Sequence, residues 1–271
     1  MIIDGHAHTF GDFAYSERLI PLMNKLGVDK VVLCPGSADP DYVFELPEAS
    51  YKETAKIHYF HILANIFYIR QHGKNIDNID NEFVYSLVKE QPTRLLQYYW
   101  INPSNPELIT KLEQDYKKMS FNGIKLHQCL NKFSNDDESM KEISLFAEEK
   151  NLPIFIHLYN FRESRKFVKL AREHPKTNYT VAHLMGMESI ARHGKDLKNV
   201  YFDISTYFII SDKRIKYVMK KFGEDKVLFG TDSPLGKDNL ENNLYKIKSM
   251  ELTEKQKGKI LGENLSKLLN L

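Results

Sequence analysis

Cysteine is nearly absent from this 271-residue chain: there are two, Cys34 and Cys129, and neither belongs to a CxxC pair. Two thiols so far apart in sequence do not build a secreted disulfide framework, so both are expected to be reduced and cytosolic. Long apolar runs are also missing. None approaches the roughly 18–20 residues that span a bilayer, which excludes a transmembrane helix. Met1-Ile2-Ile3-Asp4 has neither the basic start nor the apolar stretch of a signal peptide, and a cytoplasmic location is expected. Excess charge of one sign is lacking too. The 38 Lys+Arg and 36 Asp+Glu are interspersed and leave a net charge of +2. No broad field is aimed at nucleic acid or an anionic membrane, and a small-molecule substrate is the expected partner. Composition is silent on oligomeric state. With no Pro/Ser-rich linker, internal repeat or low-complexity tail, residues 1–271 read as a single domain.

What the chain does have is short apolar runs alternating with longer amphipathic stretches. Hydrophobic residues make up 42% of it, enough for a sizeable core. The alternation is that of successive βα units around a parallel sheet. Eight strands are expected, at Met1–Asp4, Lys30–Leu33, Leu95–Trp100, Gly123–Leu126, Pro153–His157, Tyr179–Ala182, Val200–Ile204 and Lys226–Phe229. Val31-Val32-Leu33 and Ile154-Phe155-Ile156 are apolar throughout, as strands buried on both faces should be. Helices are expected at Ser16–Leu26, stopped by Gly27, and at Pro106–Met119, Asp137–Lys150, Arg162–Glu173, Ser211–Phe222 and Thr253–Leu261. Asp212 and Glu254 fall in first turns, where a negative charge suits the helix dipole. The fold class is therefore α/β, a (β/α)8 TIM barrel, a size such barrels fit at about 250 residues. One connection is unusually long. Between the second and third strands, Asp39–Glu90 reads as an inserted helical connection that covers the barrel mouth like a lid. It holds helices at Tyr51–His72 and Asn81–Glu90, with a polar loop over Gly73–Asn81.

Barrel active sites gather at the C-terminal ends of the strands. His6 and His8 follow the first strand, Lys125 and His127 close the fourth, and His157 ends the fifth. His183 ends the sixth, Asp203 lies in the seventh, and Asp232 follows the eighth. In a barrel these ends converge on one mouth. Residues two apart in an extended backbone point to the same side, so both rings of His6-Ala7-His8 can reach one ion. Imidazole nitrogen and carboxylate oxygen suit zinc, the expected divalent metal. A catalytic site also keeps an open position, where bound water becomes hydroxide near neutral pH. Asp232 is placed to accept a proton from that water, and His183 to steady charge on a substrate oxygen or hold the water. A lone His-x-His is a weak signal, and its force comes from the other strand ends.

Ile3-Asp4-Gly5-His6-Ala7-His8 resembles the first-strand motif of the amidohydrolase superfamily. Gly123-Ile124-Lys125-Leu126-His127, Pro153-Ile154-Phe155-Ile156-His157, Val181-Ala182-His183-Leu184-Met185-Gly186 and Leu228-Phe229-Gly230-Thr231-Asp232-Ser233-Pro234 resemble its fourth, fifth, sixth and eighth strand motifs. Ile260–Leu269 resembles its terminal helix. The branch most similar is the amidohydrolase-related group, which holds hydrolases and non-oxidative decarboxylases. The likeness covers nearly the whole chain and is weakest over Asp39–Glu90. It implies His6, His8, His157 and Asp232 as metal ligands, with His183 as a further ligand or a catalytic group. Lys125 then has two readings. Carboxylated, it would bridge two metals, with His157 and His183 beside it. As a plain cation, it would meet a substrate carboxylate at a one-metal site. One ion is favoured over two.

Bland readings stand beside these. His6 and His8 could simply cap a strand, Asp232 could be a turn residue, and Asp203 could bond nearby backbone. His127 suits the core as readily as a substrate. His72, His174 and His193 read as helix ends, and His58 and His61 as a polar or lid-facing pair. Trp100, Asn102 and Tyr159 follow strands and are better placed to line the mouth than Arg70, with Trp100, Tyr159, Lys125 and His127 as the substrate-binding set. The leading function is a metal-dependent hydrolase acting on an amide, ester or lactone carbonyl. The alternative is a metal-dependent non-oxidative decarboxylase or hydratase of a small carboxylic acid. A silent barrel used for binding is the alternative from another class. Fold alone does not choose among them.

Overall fold

The computed structural model describes residues 1–36, 63–64, 67, 79–236 and 238–271. Eight parallel strands form one sheet in sequence order: β1 (Ile3–His8), β2 (Lys30–Cys34), β3 (Leu95–Trp100), β4 (Gly123–His127), β5 (Ile154–His157), β6 (Tyr179–Val181), β7 (Val200–Asp203) and β8 (Val227–Leu228). β8 has only two residues, so the segment after it completes the closure. Gly5 N–H donates to Phe229 O at 3.0 Å, Thr231 N–H to His6 O at 3.2 Å, and His8 N–H to Ser233 O at 2.7 Å. The architecture is the expected (β/α)8 barrel.

Side-chain alternation sorts each strand between two cores. Val31 and Leu33 of β2 face the helices, while Val32 and Cys34 face the barrel interior. β3 repeats this with Leu95 and Tyr99 outward, and Leu96 and Tyr98 inward. In-facing residues near the strand starts are apolar and meet Leu265 and Leu268 of the terminal helix, which plug the lower end. Gly5 belongs to this plug. A Cβ there would lie 2.7 Å from Leu265 Cδ2 and 2.9 Å from Phe229 O, so only glycine lets β1 sit this close. The polar residues are left for the opposite end.

The helices are α1 (Ser16–Leu26), α2 (Asn81–Glu90), α3 (Leu108–Met119), α4 (Glu138–Lys150), α5 (Phe161–Glu173), α6 (Met187–His193), α7 (Asp212–Phe222), α8 (Asn239–Ser249), α9 (Glu254–Gly258) and α10 (Asn264–Leu268). Local chemistry sets their ends. Gly27 stops α1 with φ +71°, Asn160 and Ser211 cap α5 and α7 through their side-chain oxygens, and Thr253 and Gln256 make a capping box on α9. α6 and α8 are not among the expected helices, because one is a single short turn pair and the other is too rich in Asn for apolar periodicity. The expected Thr253–Leu261 helix is interrupted: a π-helical turn spans Lys259–Glu263 before α10. β1 also runs further than expected, so His6 and His8 lie within the strand rather than after it. Its pairing with β2 and with residues 229–233 carries the extended backbone through both histidines.

Of the long connection, α2 is found with Asp80 as its cap. The Tyr51–His72 helix and the Gly73–Asn81 loop fall largely outside the described residues, as do His58, His61, Arg70 and His72. Both cysteines are buried thiols outside any disulfide. No helix among the described residues is long and apolar enough to cross a membrane.

Candidate metal centre at the barrel mouth

His6 and His8 point to the same side of β1, their ring centroids 5.1 Å apart. Asp232, two residues past Gly230, closes the barrel from the other side. Its Oδ1 lies 3.3 Å from His6 Nε2 and 3.3 Å from His8 Nε2. Its Oδ2 lies 3.7 Å from His183 Nε2 and accepts from Thr206 Oγ1 at 3.3 Å. His6, His8 and Asp232 are all buried, with one donor atom each inside a 4.8 Å cluster.

The residues fit a divalent ion on two grounds. Donors bonded at about 2.0–2.1 Å stand about 3.0–3.4 Å apart along the edge of a coordination shell, and 3.3 Å falls in that range. The second ground is proton placement. His8 Nδ1 sits 2.7 Å from Pro35 O, and a carbonyl only accepts, so Nδ1 holds the proton. His8 thus keeps Nε2 for the mouth, where it faces Asp232 Oδ1 at 3.3 Å, the separation of two donors that share an ion. This is the pattern of metal-ligating histidines, whose far nitrogen is tied to a carbonyl or carboxylate.

His157 stands slightly apart. Its Nδ1 lies 3.1 Å from Leu158 O, its ring lies 5.0 Å from that of His183, and its donor atom clusters with those of His127 and Cys129. The sequence-predicted four-ligand set thus divides into a converged three and a neighbouring fourth. His127 stacks on His157 at 4.1 Å with 12° between the planes, and Trp100 stacks on His127 at 5.7 Å. These flat rings make an aromatic wall beside the donor cluster. Phe155, in-facing on β5, adds its ring 4.4 Å from that of His6.

Lys125 is fully buried in the barrel. Its Nζ donates to His6 Nε2 at 2.7 Å and lies 4.3 Å above the Phe155 ring and 5.9 Å from that of Trp100. Burial pulls its pKa down, against the opposing pull of Cys34, Asp232 and Asp203. Burial, reinforced by the Lys125 charge, likewise holds His6 well below its ordinary value, so its ring is neutral. Burial does the same for His127 and His157. Burial alone would raise Asp232, but the surrounding His6, His183 and His8 hold it below the usual carboxylate range. A neutral His6 beside an ionised Asp232 is the pairing an ion needs.

Asp203 also belongs to the site. Its Oδ2 accepts from the Ser205 hydroxyl and from His183 N–H at 3.1 Å. It thus joins a hydroxyl of its own turn to a main-chain N–H at the end of β6, so the backbone-bonding reading holds and the backbone it bonds lies at the mouth. Of the expected lining residues, Trp100 is buried with Nε1 donating to Asn131 Oδ1 at 2.8 Å. Tyr159 is 47% exposed and sits at the rim, its N–H on Gln128 Oε1. Asn102 turns away, its Oδ1 accepting from Ser104 N–H at 3.0 Å. His174 and His193 end α5 and α6, as expected. Sequence reasoning missed Ser205 and Thr206, which touch His6, His183 and Asp232. The signal for Ser205 was present, since Asp203-Ile204-Ser205 has the same i, i+2 spacing that paired His6 with His8.

The fold matches solved structures along almost its full length. A 2,6-dihydroxybenzoate decarboxylase complexed with 2,6-dihydroxybenzoate aligns at 14% identity and TM-score 0.70, covering 100% of this chain and 99% of that one. A dihydroxybenzoic acid decarboxylase from Polaromonas, with bound manganese and the inhibitor 2-nitroresorcinol, aligns at 14% identity and TM-score 0.72, covering 100% and 97%. A 5-carboxyvanillate decarboxylase from Novosphingobium aromaticivorans, complexed with manganese and 4-hydroxy-3-methoxy-5-nitrobenzoic acid, aligns at 14% identity and TM-score 0.70, covering 100% and 96%. Among curated proteins no sequence match is found. The family model described as amidohydrolase matches residues 3–271. With that match over nearly the whole chain, the protein belongs to the amidohydrolase family.

Proposed function

We propose that this protein is a metal-dependent non-oxidative decarboxylase of small aromatic hydroxy acids. The observation that carries the reading is the aromatic wall of Trp100, His127 and His157, with Phe155 near His6, set directly beside the donor cluster. Aromatic side chains stacked beside the donors suit an aromatic substrate whose carboxylate would lie near the ion, and the three solved structures above are decarboxylases of such acids. Hydrolysis of an amide, ester or lactone is the second reading, supported by the family's description.

One ion is proposed, held by His6, His8 and Asp232 with His157 nearby. Manganese is the first choice over the expected zinc, because two of the similar structures hold it. Bound there, the ion would supply a positive charge that orients the substrate's oxygens. Lys125 acts as a plain amine: its place over Phe155 and beside Trp100 suits a cation on aromatic faces. With an ion held by His6 Nε2, Lys125 would be left to meet the substrate carboxylate. The reaction breaks the bond between ring and carboxylate, leaves the electron pair on the ring carbon, and puts a proton where carbon dioxide departs. Asp232 starts ionised, so it first takes a proton, which the substrate's ortho hydroxyl can give, and then passes it to the ring carbon. His183, beside Asp232 Oδ2, turns an unprotonated Nε2 to the mouth and accepts a hydrogen bond from the phenolic oxygen whenever that oxygen carries its proton. Solvent returns the final proton to that oxygen.

Manganese-loaded protein should release carbon dioxide from hydroxybenzoates and leave amides, esters and lactones intact. Acid release from those carbonyl substrates, with no carbon dioxide, would replace the decarboxylase reading with hydrolysis. Failure to take up any divalent ion would favour a silent barrel.

A further inference from the structure

Ser205 lies two residues beyond β7 and is fully buried. Its hydroxyl oxygen is 3.1 Å from His6 Nδ1 and 3.0 Å from His183 Nδ1, and it makes a short hydrogen bond with Asp203 Oδ2. A serine hydroxyl has one proton to donate and two lone pairs to accept with. Three polar neighbours therefore share one donor, and fixing any partner constrains the rest. His183 Nδ1 also lies 3.2 Å from the main-chain oxygen of Ser205, which only accepts, so this nitrogen carries a proton. Asp203 Oδ2 accepts from both the main-chain N–H of His183 and the serine hydroxyl. With its proton turned to Asp203, Ser205 Oγ can only accept from His6 Nδ1. Lys125 agrees from the far side of that ring, since its amine donates to His6 Nε2 and needs a lone pair there.

We infer that Ser205 is a positioning residue: anchored on Asp203, its hydroxyl holds His6 and His183 in the Nδ1–H form and presents both Nε2 lone pairs to the mouth. His8 and His157 reach the same form by another route, through the carbonyls of Pro35 and Leu158. One hydroxyl thus sets two rings from two different strands, and links the β1 histidine to the β6 histidine through β7. In the other tautomer His6 would aim an N–H at the donor cluster and could not ligate. The effect on ion binding rests on the metal-centre reading above; the tautomers do not.

The test is nitrogen NMR of histidine-labelled, metal-stripped full-length protein, followed by manganese titration. In the unaltered protein, His6 and His183 should show protonated, slowly exchanging Nδ1. Ser205→Ala should lose the slowly exchanging His6 Nδ1–H and weaken manganese binding by roughly 10–100-fold, the usual effect of losing such a partner. His8 and His157 should be unchanged in that variant, and His183 only partly affected, because it keeps the Ser205 carbonyl. Ser205→Thr should restore both readouts. An unprotonated His6 Nδ1 in the unaltered protein overturns the proposal, and this holds even where Ser205→Ala fails to fold. So does a Ser205→Ala variant with the His6 N–H and the manganese affinity both intact. Correct tautomers in a protein that binds no manganese support the role of Ser205 and remove the metal-centre reading instead.

Discussion

Gly230→Ala probes the site without replacing any proposed ligand. The added Cβ would lie 2.3 Å from Asp203 Oδ1, 3.1 Å from His6 Cβ and 3.4 Å from Asp203 Cγ. Real Cβ contacts stay above 3.0 Å, so the carboxylate must retreat by about 0.7 Å, and His6 on the other flank can yield only a few tenths. Asp203 Oδ1 has no hydrogen-bond partner to lose. Oδ2 moves with it, however, and Oδ2 holds Ser205 Oγ and His183 N–H. The 3.1 Å bond to His183 would open to about 3.8 Å, beyond a hydrogen bond. Overpacking costs about 1–3 kcal/mol, and a lost bond to a charged group about 1.5–3 kcal/mol. The expected loss is therefore about 2.5–6 kcal/mol, read as a lower urea midpoint at unchanged slope in metal-free protein. Gly27→Ala is the control: its Cβ meets nothing within 4 Å, and φ +71° alone should cost about 1 kcal/mol. A Gly230→Ala variant no less stable than Gly27→Ala would refute the claim that Asp203 is pinned.

Other outcomes follow from the same geometry. Asp232→Asn should keep the fold and lose turnover; retained turnover would remove Asp232 from the proton path. His6→Ala combined with His8→Ala should abolish uptake of divalent metal, checked by elemental analysis after dialysis. Manganese at about 100 times its Kd should stabilise the unaltered protein by about 2.7 kcal/mol and leave that double variant unmoved in thermal melts. Glu163 offers a pH test away from the metal site. Burial would raise its carboxyl, but Asn135 N–H, Gln128, Ser134 and Lys166 hold it below 4.5. Its stabilising effect is therefore present above that value and lost as pH falls through the lower folded one. Glu163→Gln should cost about 2 kcal/mol at pH 7, with the gap to the unaltered protein closing in acid denaturation series. A constant gap at every pH would contradict the ionic account.

Strand order and site position were legible because both rest on short-range pattern. Val31-Val32-Leu33 and Ile154-Phe155-Ile156 announce buried strands, and eight such runs leave little choice of architecture. His6-Ala7-His8 was legible for the same reason: period two needs only an extended backbone. What resisted was set by long-range contact. β1 extends through both histidines because residues 229–233 pair with it from the far end of the chain. His157 stacks with His127 instead of joining the converged three, and nothing in the residues around it encodes that neighbour. The carbonyls of Pro35 and Leu158 that orient His8 and His157 carry no side-chain signature at all.

The backbone at the mouth explains why the donors hold their places. His183, Leu184, Thr206 and Asp232 adopt φ of +51°, +54°, +71° and +63°, each directly past β6, β7 or β8. A non-glycine residue there costs roughly 1–2 kcal/mol, so something must hold it. In three of the four cases it is the next strand. His183 N–H donates to Asp203 of β7 at 3.1 Å. Thr206 N–H donates to Thr231 O beyond β8 at 3.3 Å, and Asp232 N–H to His6 O of β1 at 2.6 Å. Each strained corner hangs from its neighbour, around the mouth from β6 to β1, and the chain of bonds ends on a proposed ligand. Such corners bring His183 and Thr206 to Asp232 from three different strand ends. The donor cluster is thus a property of the closed barrel: opening the β8–β1 seam would release Asp232 and His6 together.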